Sequence, residues 1–264
     1  MIISVANQKG GVGKSTTCIN LAGAFADAGK NILIIDSDPQ GNTSSGLGIS
    51  KKDLTATSYD LLVNDTFDFE DALVNVRQHV NIVPATIDLA GAEIELVDVN
   101  ARSFRMKKAL EAVKGGYDYV LIDCPPSLGL LTVNAISASD SVLIPVQAEY
   151  YALEGLMQLM TTLDLVKSNY NPSLRLAGVF ITMFDSRTQL SRQVQQEVAW
   201  YFQENYLKTY IPRNVRLSEA PSHGMTIFEY DARSKGAKSY RLLAKELIKR
   251  FESDAWREKT VGML

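Results

Sequence analysis

A glycine-rich segment directly after a short apolar run is the feature that most restricts how this chain can fold. Residues 2–6 (IISVA) are typical of a buried β-strand, and residues 9–16 (KGGVGKST) follow them and open a helical pattern. Glycines let the backbone turn tightly so that successive N–H groups converge, and a helix N-terminus adds partial positive charge. The segment therefore predicts a strand, an anion-binding loop and a helix, in that order.

Short apolar runs alternate with longer helical patterns along the rest of the chain. The predicted strands are 2–6, 32–35, 119–122, 141–146 and 176–181, and the predicted helices are about 14–28, 101–114, 129–138, 152–168 and 189–205. The runs are rich in β-branched residues and apolar on both faces, which suits strands covered by helices on both sides. The pattern predicts an α/β fold with a mainly parallel twisted β-sheet flanked by helices on both faces.

Segment 42–79 interrupts this alternation, and we predict that it decorates the sheet. The chain shows no internal repeat and no linker-like composition, so a single domain over residues 1–264 is the simplest prediction.

The composition narrows the classes of function. Net charge is −3, so any DNA contact must come from a local basic patch rather than from the chain as a whole. The two cysteines, Cys18 and Cys124, are too few for a disulfide scaffold and fit a reducing compartment. No run of about 18 apolar residues is present, and the N-terminus lacks the features of a signal peptide. We expect a cytoplasmic protein.

Each residue type in the loop suits one part of a nucleoside triphosphate. Lys14 would reach the β- and γ-phosphates, the Ser15 hydroxyl would ligate Mg²⁺, and Thr16 would bond the α-phosphate. The backbone groups that would surround the phosphates belong to Gly10, Gly11, Val12 and Gly13. The common form of the motif has glycine at position 8, whereas this chain has Gln8 followed by a second lysine, Lys9. The alternative is a glycine-rich turn carrying solvated lysines.

Carboxylates follow two of the predicted strands. Asp36 and Asp38 end the second strand, and Asp123 ends the third. The carboxyl ends of parallel strands form the ligand crevice of such sheets. There Asp38 can orient or deprotonate an attacking water, while Asp36 and Asp123 can hold Mg²⁺ through water. The alternative is turn chemistry alone, because Asp-Pro, Gln-Gly-Asn and Pro-Pro sequences follow these acids.

Three motifs together resemble the deviant Walker A class of P-loop ATPases. KGGVGKST (9–16), DSDPQGN (36–42) and IDCPPSLG (122–129) are similar to its ParA/Soj branch, which partitions chromosomes and plasmids. The resemblance implies that Lys9 reaches across an ATP-bound homodimer and neutralises the partner's γ-phosphate, as an arginine finger does. It also implies that Asp38 supports hydrolysis and that Gly10 lies where the two subunits approach closely.

Two segments later in the chain indicate which nucleotide base the protein would bind. The chain contains no guanine-reading NKxD pattern, which favours ATP over GTP. Residues 181–185 (ITMFD) and 211–216 (IPRNVR) resemble the adenine-side elements of the family, in which Met183 and Pro212 would pack on the base. Core packing is an equally good interpretation of Met183.

A basic stripe on a further predicted helix near the end of the chain is the candidate DNA contact. That helix is amphipathic, because its apolar face would carry Tyr240, Ala244, Leu247, Ile248 and Phe251. Within about 120° of one helix face, at 100° per residue, lie Lys235, Lys238, Arg241, Lys245 and Lys249. Such a stripe is either a solvated basic face or a sequence-independent phosphate contact. The resemblance adds Arg187 and Arg216 as residues for non-specific DNA contact.

Three functions compete at this stage. The leading hypothesis is a nucleoid-associated DNA-partition switch, in which ATP closes a homodimer on double-stranded DNA and a ParB-type protein stimulates hydrolysis. The second is a membrane-surface ATPase like MinD, although the acidic tail 252–259 with its single Trp256 makes a poor anchor, so we expect no membrane partner. The third is a metabolic ligase or reductase partner, for which no substrate pocket or cluster cysteines are evident.

Segment 147–155 (QAEYYALEG) carries no independent chemistry, and packing is its default interpretation.

Overall fold

A seven-stranded β-sheet forms the centre of the protein in the computed structural model, which describes residues 1–113, 115–149, 152–254 and 256. The strands are β1 (Ile2–Val5), β2 (Ile32–Asp36), β3 (Val74–Arg77), β4 (Val80–Val83), β5 (Tyr119–Asp123), β6 (Ser141–Gln147) and β7 (Arg175–Thr182). Their order across the sheet is β3-β4-β2-β5-β1-β6-β7. Every neighbouring pair is parallel except β3 with β4, which is antiparallel. The predicted fold class is confirmed.

Helices connect the strands and cover the sheet. The α-helices are α1 (Lys14–Asp27), α2 (Asn42–Gly46), α3 (Ser58–Val63), α4 (Leu89–Glu95), α5 (Arg105–Leu110), α6 (Leu130–Ser137), α7 (Ala152–Asn169), α8 (Gln189–Phe202), α9 (Val215–Glu219), α10 (Ile227–Asp231) and α11 (Lys235–Glu252). Short 3-10 helices lie at Phe69–Ala72, Arg102–Phe104, Glu111–Val113, Gln203–Asn205 and Ala220–His223.

Two apolar cores lie on opposite faces of the sheet because successive side chains of a strand point to opposite sides. On β2, Leu33 and Ile35 join the core that includes α3 to α8, whereas Ile32 and Ile34 join the core with α1 and α11. All four side chains are fully buried. Burial on both faces explains why the central strands are continuous apolar runs rather than alternating ones.

The sheet register brings the ends of three central strands together. Asp123 at the end of β5 is paired in register with Asp36 of β2 on one side and with Val5 of β1 on the other. The loop before α1 begins directly after Val5. The glycine-rich loop and both carboxylates therefore meet at one edge of the sheet, where ligands of such folds bind.

The structure differs from the sequence prediction at two places. β3 extends the sheet itself, so the prediction that 42–79 only decorates it is wrong in part, and β4 was not predicted at all. Both strands have only four residues, and Asn75, Arg77 and Asn81 interrupt their apolar pattern. The helix expected over about 101–114 is divided, since α5 occupies only its middle between two 3-10 turns; Lys114 lies outside the described residues.

Candidate functional site

The glycine-rich loop joins β1 to α1 with two residues in left-handed backbone conformation. Gly11 has φ 76° and Gly13 has φ 93°, values that a side chain would strain. Gly13 is the N-cap of α1, and its carbonyl accepts from both the N–H and the hydroxyl of Thr17, at 2.9 and 2.7 Å. The loop therefore presents its backbone at a helix N-terminus, the arrangement that binds anions.

Lys14 lies inside this loop rather than in solvent. Its side chain is buried, and Nζ donates to the backbone carbonyl of Lys9 at 3.2 Å. Burial lowers the pKa of Lys14, while the neighbouring Asp123 carboxylate opposes that shift. A buried ammonium whose main hydrogen-bond acceptor is one carbonyl still has N–H donors to spare. Phosphate oxygens would accept from these donors.

Asp123 is the most unusual carboxylate of the site. It is fully buried, its Oδ2 accepts from the Thr43 hydroxyl at 2.7 Å, and the Ser15 hydroxyl also hydrogen-bonds the carboxylate. Its Oδ1 has no hydrogen-bond partner among the described residues. Burial, followed by repulsion from Asp36, raises the pKa of Asp123 to about 7. A cation, or water held by a cation, would satisfy this oxygen.

Asp36 completes the acidic pair. Its Oδ2 accepts from the N–H and the hydroxyl of Ser44 at 2.8 and 2.6 Å. Burial raises the pKa of Asp36 to about 6 despite these hydrogen bonds. In the part of the chain that the structure describes, no three His, Cys, Asp or Glu side chains converge to cage a metal. The donors fit Mg²⁺, which in nucleotide sites keeps several waters and takes oxygens from phosphates.

Asp38 lies in the loop after β2 and is buried. Its N–H donates to Asp36 Oδ1 at 3.3 Å, and its own Oδ1 accepts from the N–H of Gln40 at 2.9 Å, as in an Asx-turn. The Lys51 ammonium holds the same loop by donating to the Gln40 carbonyl at 2.7 Å. Burial lowers the pKa of Lys14, and the Asp38 carboxylate is near enough to oppose that shift, so turn chemistry and a position beside the phosphate loop coexist at Asp38.

The two segments assigned to the base lie next to each other. The N–H of Phe184 donates to the Ile211 carbonyl at 3.0 Å, and the N–H of Arg213 donates back to the Phe184 carbonyl at 3.0 Å. This pairing sets Phe184 opposite Pro212, so Met183 lies one residue before the paired position. The side chains of Met183 and Pro212 are both half-buried. The Thr182 hydroxyl bonds the Val12 carbonyl at 2.8 Å and so ties this region to the phosphate loop.

The basic residues lie on the surface, and the arginines are paired. The stripe along α11 is exposed at Lys235, Lys238, Arg241, Lys245 and Lys249. Arg187 makes two hydrogen bonds to Asp185, at 2.9 and 2.7 Å, which hold the pKa of that carboxyl well below its ordinary value. Arg216 bonds Glu219 at 2.9 Å and approaches Asp231 at 3.8 Å. The structure therefore shows a basic surface whose arginines have carboxylate partners.

The cysteines are packing residues in this structure. Cys18 on α1 and Cys124 after β5 are both buried and belong to the two apolar cores. Burial raises the pKa of Cys124 to about 12 and that of Cys18 well above its ordinary value. Both thiols therefore stay protonated near neutral pH, in a form that binds metals poorly.

The end of the chain packs on the body as far as the structure describes it. Arg175 lies over the ring of Trp256, 3.7 Å from its centroid, and the Phe251 ring is 5.3 Å away. Ala255 and residues 257–264, which include part of the tail weighed as a membrane anchor, lie outside the described residues. No helix in the described ranges has the length and apolarity that crossing a bilayer requires.

Sequence reasoning missed several residues of the site. Thr43 and Ser44, which bond the two buried carboxylates, occur in the unremarkable segment NTSSG. Lys51 gave no signal beyond being a charged residue in a polar stretch. Glu149 pairs with Lys9 across 140 sequence positions, so only the folded arrangement reveals the contact.

Fold and site together define a P-loop nucleotide-binding protein of the class in which the loop carries a second lysine. The model of the AAA domain family matches residues 1–176. The chain is 57% identical to the sporulation initiation inhibitor protein Soj of Bacillus subtilis over 93% of this chain and 97% of that protein. It is 53% identical to the chromosome partitioning protein ParA of Myxococcus xanthus, over 94% and 88%. The chain belongs to the Soj/ParA family of chromosome-partitioning ATPases, which confirms the resemblance inferred from its motifs.

Solved structures share the fold. A cobyrinic acid a,c-diamide synthase from Mycobacterium smegmatis, solved with bound ADP and magnesium, superposes with a TM-score of 0.84 at 37% identity, over 96% of this chain and 95% of that one. The cell division ATPase MinD of Pyrococcus furiosus superposes with a TM-score of 0.79 at 27% identity, over 94% and 98%. Both are less similar in sequence than Soj, so the MinD-like and metabolic alternatives have weaker support than partitioning.

Proposed function

We propose that the chain is a Mg·ATP-driven homodimeric switch that holds double-stranded DNA without sequence preference and releases it after hydrolysis stimulated by a ParB-type partner. One contrast within the loop supports this most strongly. Lys14 is buried near Asp123 and Asp38, whereas Lys9 is half-buried and Gly10 is exposed on the outer side of the loop. The outer half is thus placed to meet a second molecule.

The inner half of the site, formed by Lys14, Ser15 and the aspartates, suits hydrolysis of a triphosphate. Lys14 exchanges the Lys9 carbonyl for phosphate oxygens, and the Ser15 hydroxyl is available as a direct metal ligand. Asp36 and Asp123 orient the waters of the ion, which when bound neutralises phosphate charge. Asp38 orients the attacking water and accepts its proton. Met183 and Pro212 flank the base.

The outer half suits closure on a partner subunit. Apart from Gly10 and its two chain neighbours, no heavy atom of the described chain lies within 4 Å of an ideal Cβ at Gly10, so the space in front of this residue is open in the monomer. Lys9 stands beside that space and would donate its ammonium to the γ-phosphate held by the other subunit. Two nucleotides and two lysines would then be enclosed between the subunits.

The surface stripe on α11, together with Arg187 and Arg216, supplies contacts to phosphates rather than to bases. A dimer presents two such surfaces, and two tethered contacts bind far more tightly than one. ATP therefore controls DNA affinity by controlling dimerisation, and a ParB-type protein that accelerates hydrolysis returns the chain to the weakly binding state.

The test is retention of DNA fragments of unrelated sequence with ATP, with ADP and without nucleotide, at about 50 mM and 200 mM salt. The ATP form should retain every fragment, lose affinity as salt rises, and let go when a ParB-type protein is added. Lys14→Ala, which removes the cation for the β- and γ-phosphates, is the control that should retain little DNA under any condition. Equal retention with ATP and ADP would contradict the proposal.

A further inference from the structure

Lys9 has a carboxylate partner within its own chain. Its Nζ lies 2.5 Å from Oε2 of Glu149, the second residue after β6. Both side chains remain partly exposed, at 39% and 44%. The residue that the proposed function needs at a second subunit is therefore already paired in the monomer.

The geometry around Glu149 holds its carboxylate in place for this contact. Oε1 accepts from the Gln147 side-chain amide at 2.5 Å, and the Glu149 N–H donates to the Gln147 carbonyl at 2.8 Å. The Glu149 carbonyl accepts from the N–H of Ala152, the first residue of α7, at 3.0 Å. Both carboxylate oxygens and both backbone groups of Glu149 are thus engaged.

The lysine side of the pair is anchored to the same strand. The Lys9 N–H donates to Asn7 Oδ1 at 3.0 Å, and Asn7 Nδ2 donates to the Pro145 carbonyl of β6 at 2.7 Å. A cavity of about 260 Å³, lined in part by Gln8, Lys9 and Gln147, adjoins the pair. The ammonium can therefore leave Glu149 without disturbing the apolar cores.

We infer that Glu149 is a positioning residue, which holds the Lys9 ammonium in cis and sets how readily it is delivered to the nucleotide of a second subunit. This inference rests on the proposed function. It also gives a role to Glu149 within segment 147–155, for which packing was the default interpretation from sequence.

The exchange would depend on which nucleotide is bound. A partly exposed carboxylate attracts an ammonium weakly, because water screens the pair. A γ-phosphate bound with Mg²⁺ in a closed interface offers charge with less water, and so competes successfully for Lys9. ADP has no γ-phosphate, so Glu149 keeps the lysine. The pair thereby sharpens the difference between the ATP and ADP states.

Glu149→Gln is the direct test, since it keeps the side-chain length and removes the charge. The protein concentration at half-dimerisation with Mg·ATP should fall by about 2- to 30-fold, because two partly exposed ion pairs of about 0.2–1 kcal/mol each no longer oppose closure. Light scattering in an Asp38→Ala background, where hydrolysis is slow, gives this value. The difference in dimerisation between Glu149→Gln and the wild type should become smaller as the salt concentration rises, since salt screens the ion pair.

Two controls separate the ion pair from general charge removal. Glu154→Gln removes a carboxylate from an exposed residue lining the same cavity and should change dimerisation little. Glu149→Asp keeps the charge on a shorter side chain and should restore most of the wild-type behaviour. An equal gain in Glu149→Gln and Glu154→Gln would overturn the inference.

A second measurement needs no dimer. In nucleotide-free protein, labelling of Lys9 by an amine-directed reagent should be about 1.5- to 5-fold faster in Glu149→Gln, with exposed Lys52 as the internal standard. Unchanged labelling would overturn the inference. If wild-type protein does not dimerise with ATP, the proposed function fails instead; if it does and Glu149→Gln matches it, only the role of Glu149 fails.

Discussion

Asp36 and Asp123 lie opposite each other at the carboxyl ends of adjacent strands, and both carboxylates are fully buried. Burial raises the pKa of Asp36 to about 6 and that of Asp123 to about 7. Two acids this close resist being charged together unless a cation is shared between them. Burial and mutual repulsion therefore disfavour the doubly charged pair, and a bound Mg²⁺ would offset this cost.

Asp123→Asn should separate stability from function. The amide keeps the shape and removes the buried charge, so the nucleotide-free variant should unfold a few degrees higher near pH 8, at about 2–4 °C for each kcal/mol gained. The same variant should lose the extra stability that Mg·ATP gives the wild type. Thermal unfolding with and without Mg·ATP measures both effects.

The difference in stability between Asp123→Asn and the wild type should change with pH in a defined direction. The Asp123 pKa is 3.8 in the unfolded chain and about 7 in the fold, so the folded state binds the proton more tightly. Its contribution to stability is complete below about pH 4 and is lost as pH rises towards 7. The advantage of Asp123→Asn should therefore grow over this range and then level off. An advantage independent of pH would exclude the buried charge as its cause.

Asp38→Ala should bind Mg·ATP and dimerise but hydrolyse it slowly. The expected decrease in turnover is about 10²- to 10⁴-fold, because the water loses the group that orients it and accepts its proton. Phosphate release measures turnover, and light scattering measures dimerisation. Wild-type turnover in the variant would remove Asp38 from this role.

Gly10→Val should fold and bind ATP yet remain monomeric. The open space around Gly10 accepts a side chain within one subunit, so a defect in dimerisation would come from the partner. Gly11→Val is the matched contrast, since φ 76° at Gly11 penalises any side chain in the monomer by about 1–2 kcal/mol. The thermal unfolding temperature should fall in Gly11→Val and not in Gly10→Val. Dimers of Gly10→Val with ATP would place this residue away from the interface.

Glu219→Gln and Arg216→Ala should change DNA affinity in opposite directions. Glu219 holds Arg216 at 2.9 Å, so removing its charge frees the guanidinium for phosphate, whereas removing Arg216 deletes the contact. Arg216→Ala should lower the salt slope of binding by about 1 for each subunit, uniformly across sequences. Filter binding at several salt concentrations measures the slope. Unchanged slopes in both variants would exclude Arg216 from the DNA surface.

The sequence was most informative where one strong local pattern decides the structure. The loop 9–16, the buried strands β1, β2 and β5, and the amphipathic helix α11 were all predicted because glycine spacing or apolar periodicity is enough to define them. β3 and β4 were missed because polar residues interrupt strands of four residues, whose stability comes from pairing with β2 and not from their own pattern.

Contacts between distant parts of the chain were beyond sequence reasoning. The pairs Lys9–Glu149 and Thr43–Asp123 are 140 and 80 positions apart, and each depends on which strand ends become neighbours. The charge stripe on α11 was visible in the sequence. Arg216 and Glu219 lie three positions apart on α9, whereas the approach of Arg216 to Asp231 depends on how α9 packs against α10.

A crystal structure of Asp38→Ala with Mg·ATP would show where the Lys9 ammonium lies when ATP is bound, because slow hydrolysis would preserve the nucleotide. We expect a dimer in which Nζ of Lys9 has left Glu149 and lies within about 3 Å of a γ-phosphate oxygen bound by the other subunit. A dimer in which Lys9 still pairs with Glu149 of its own chain, remote from either nucleotide, would contradict this expectation.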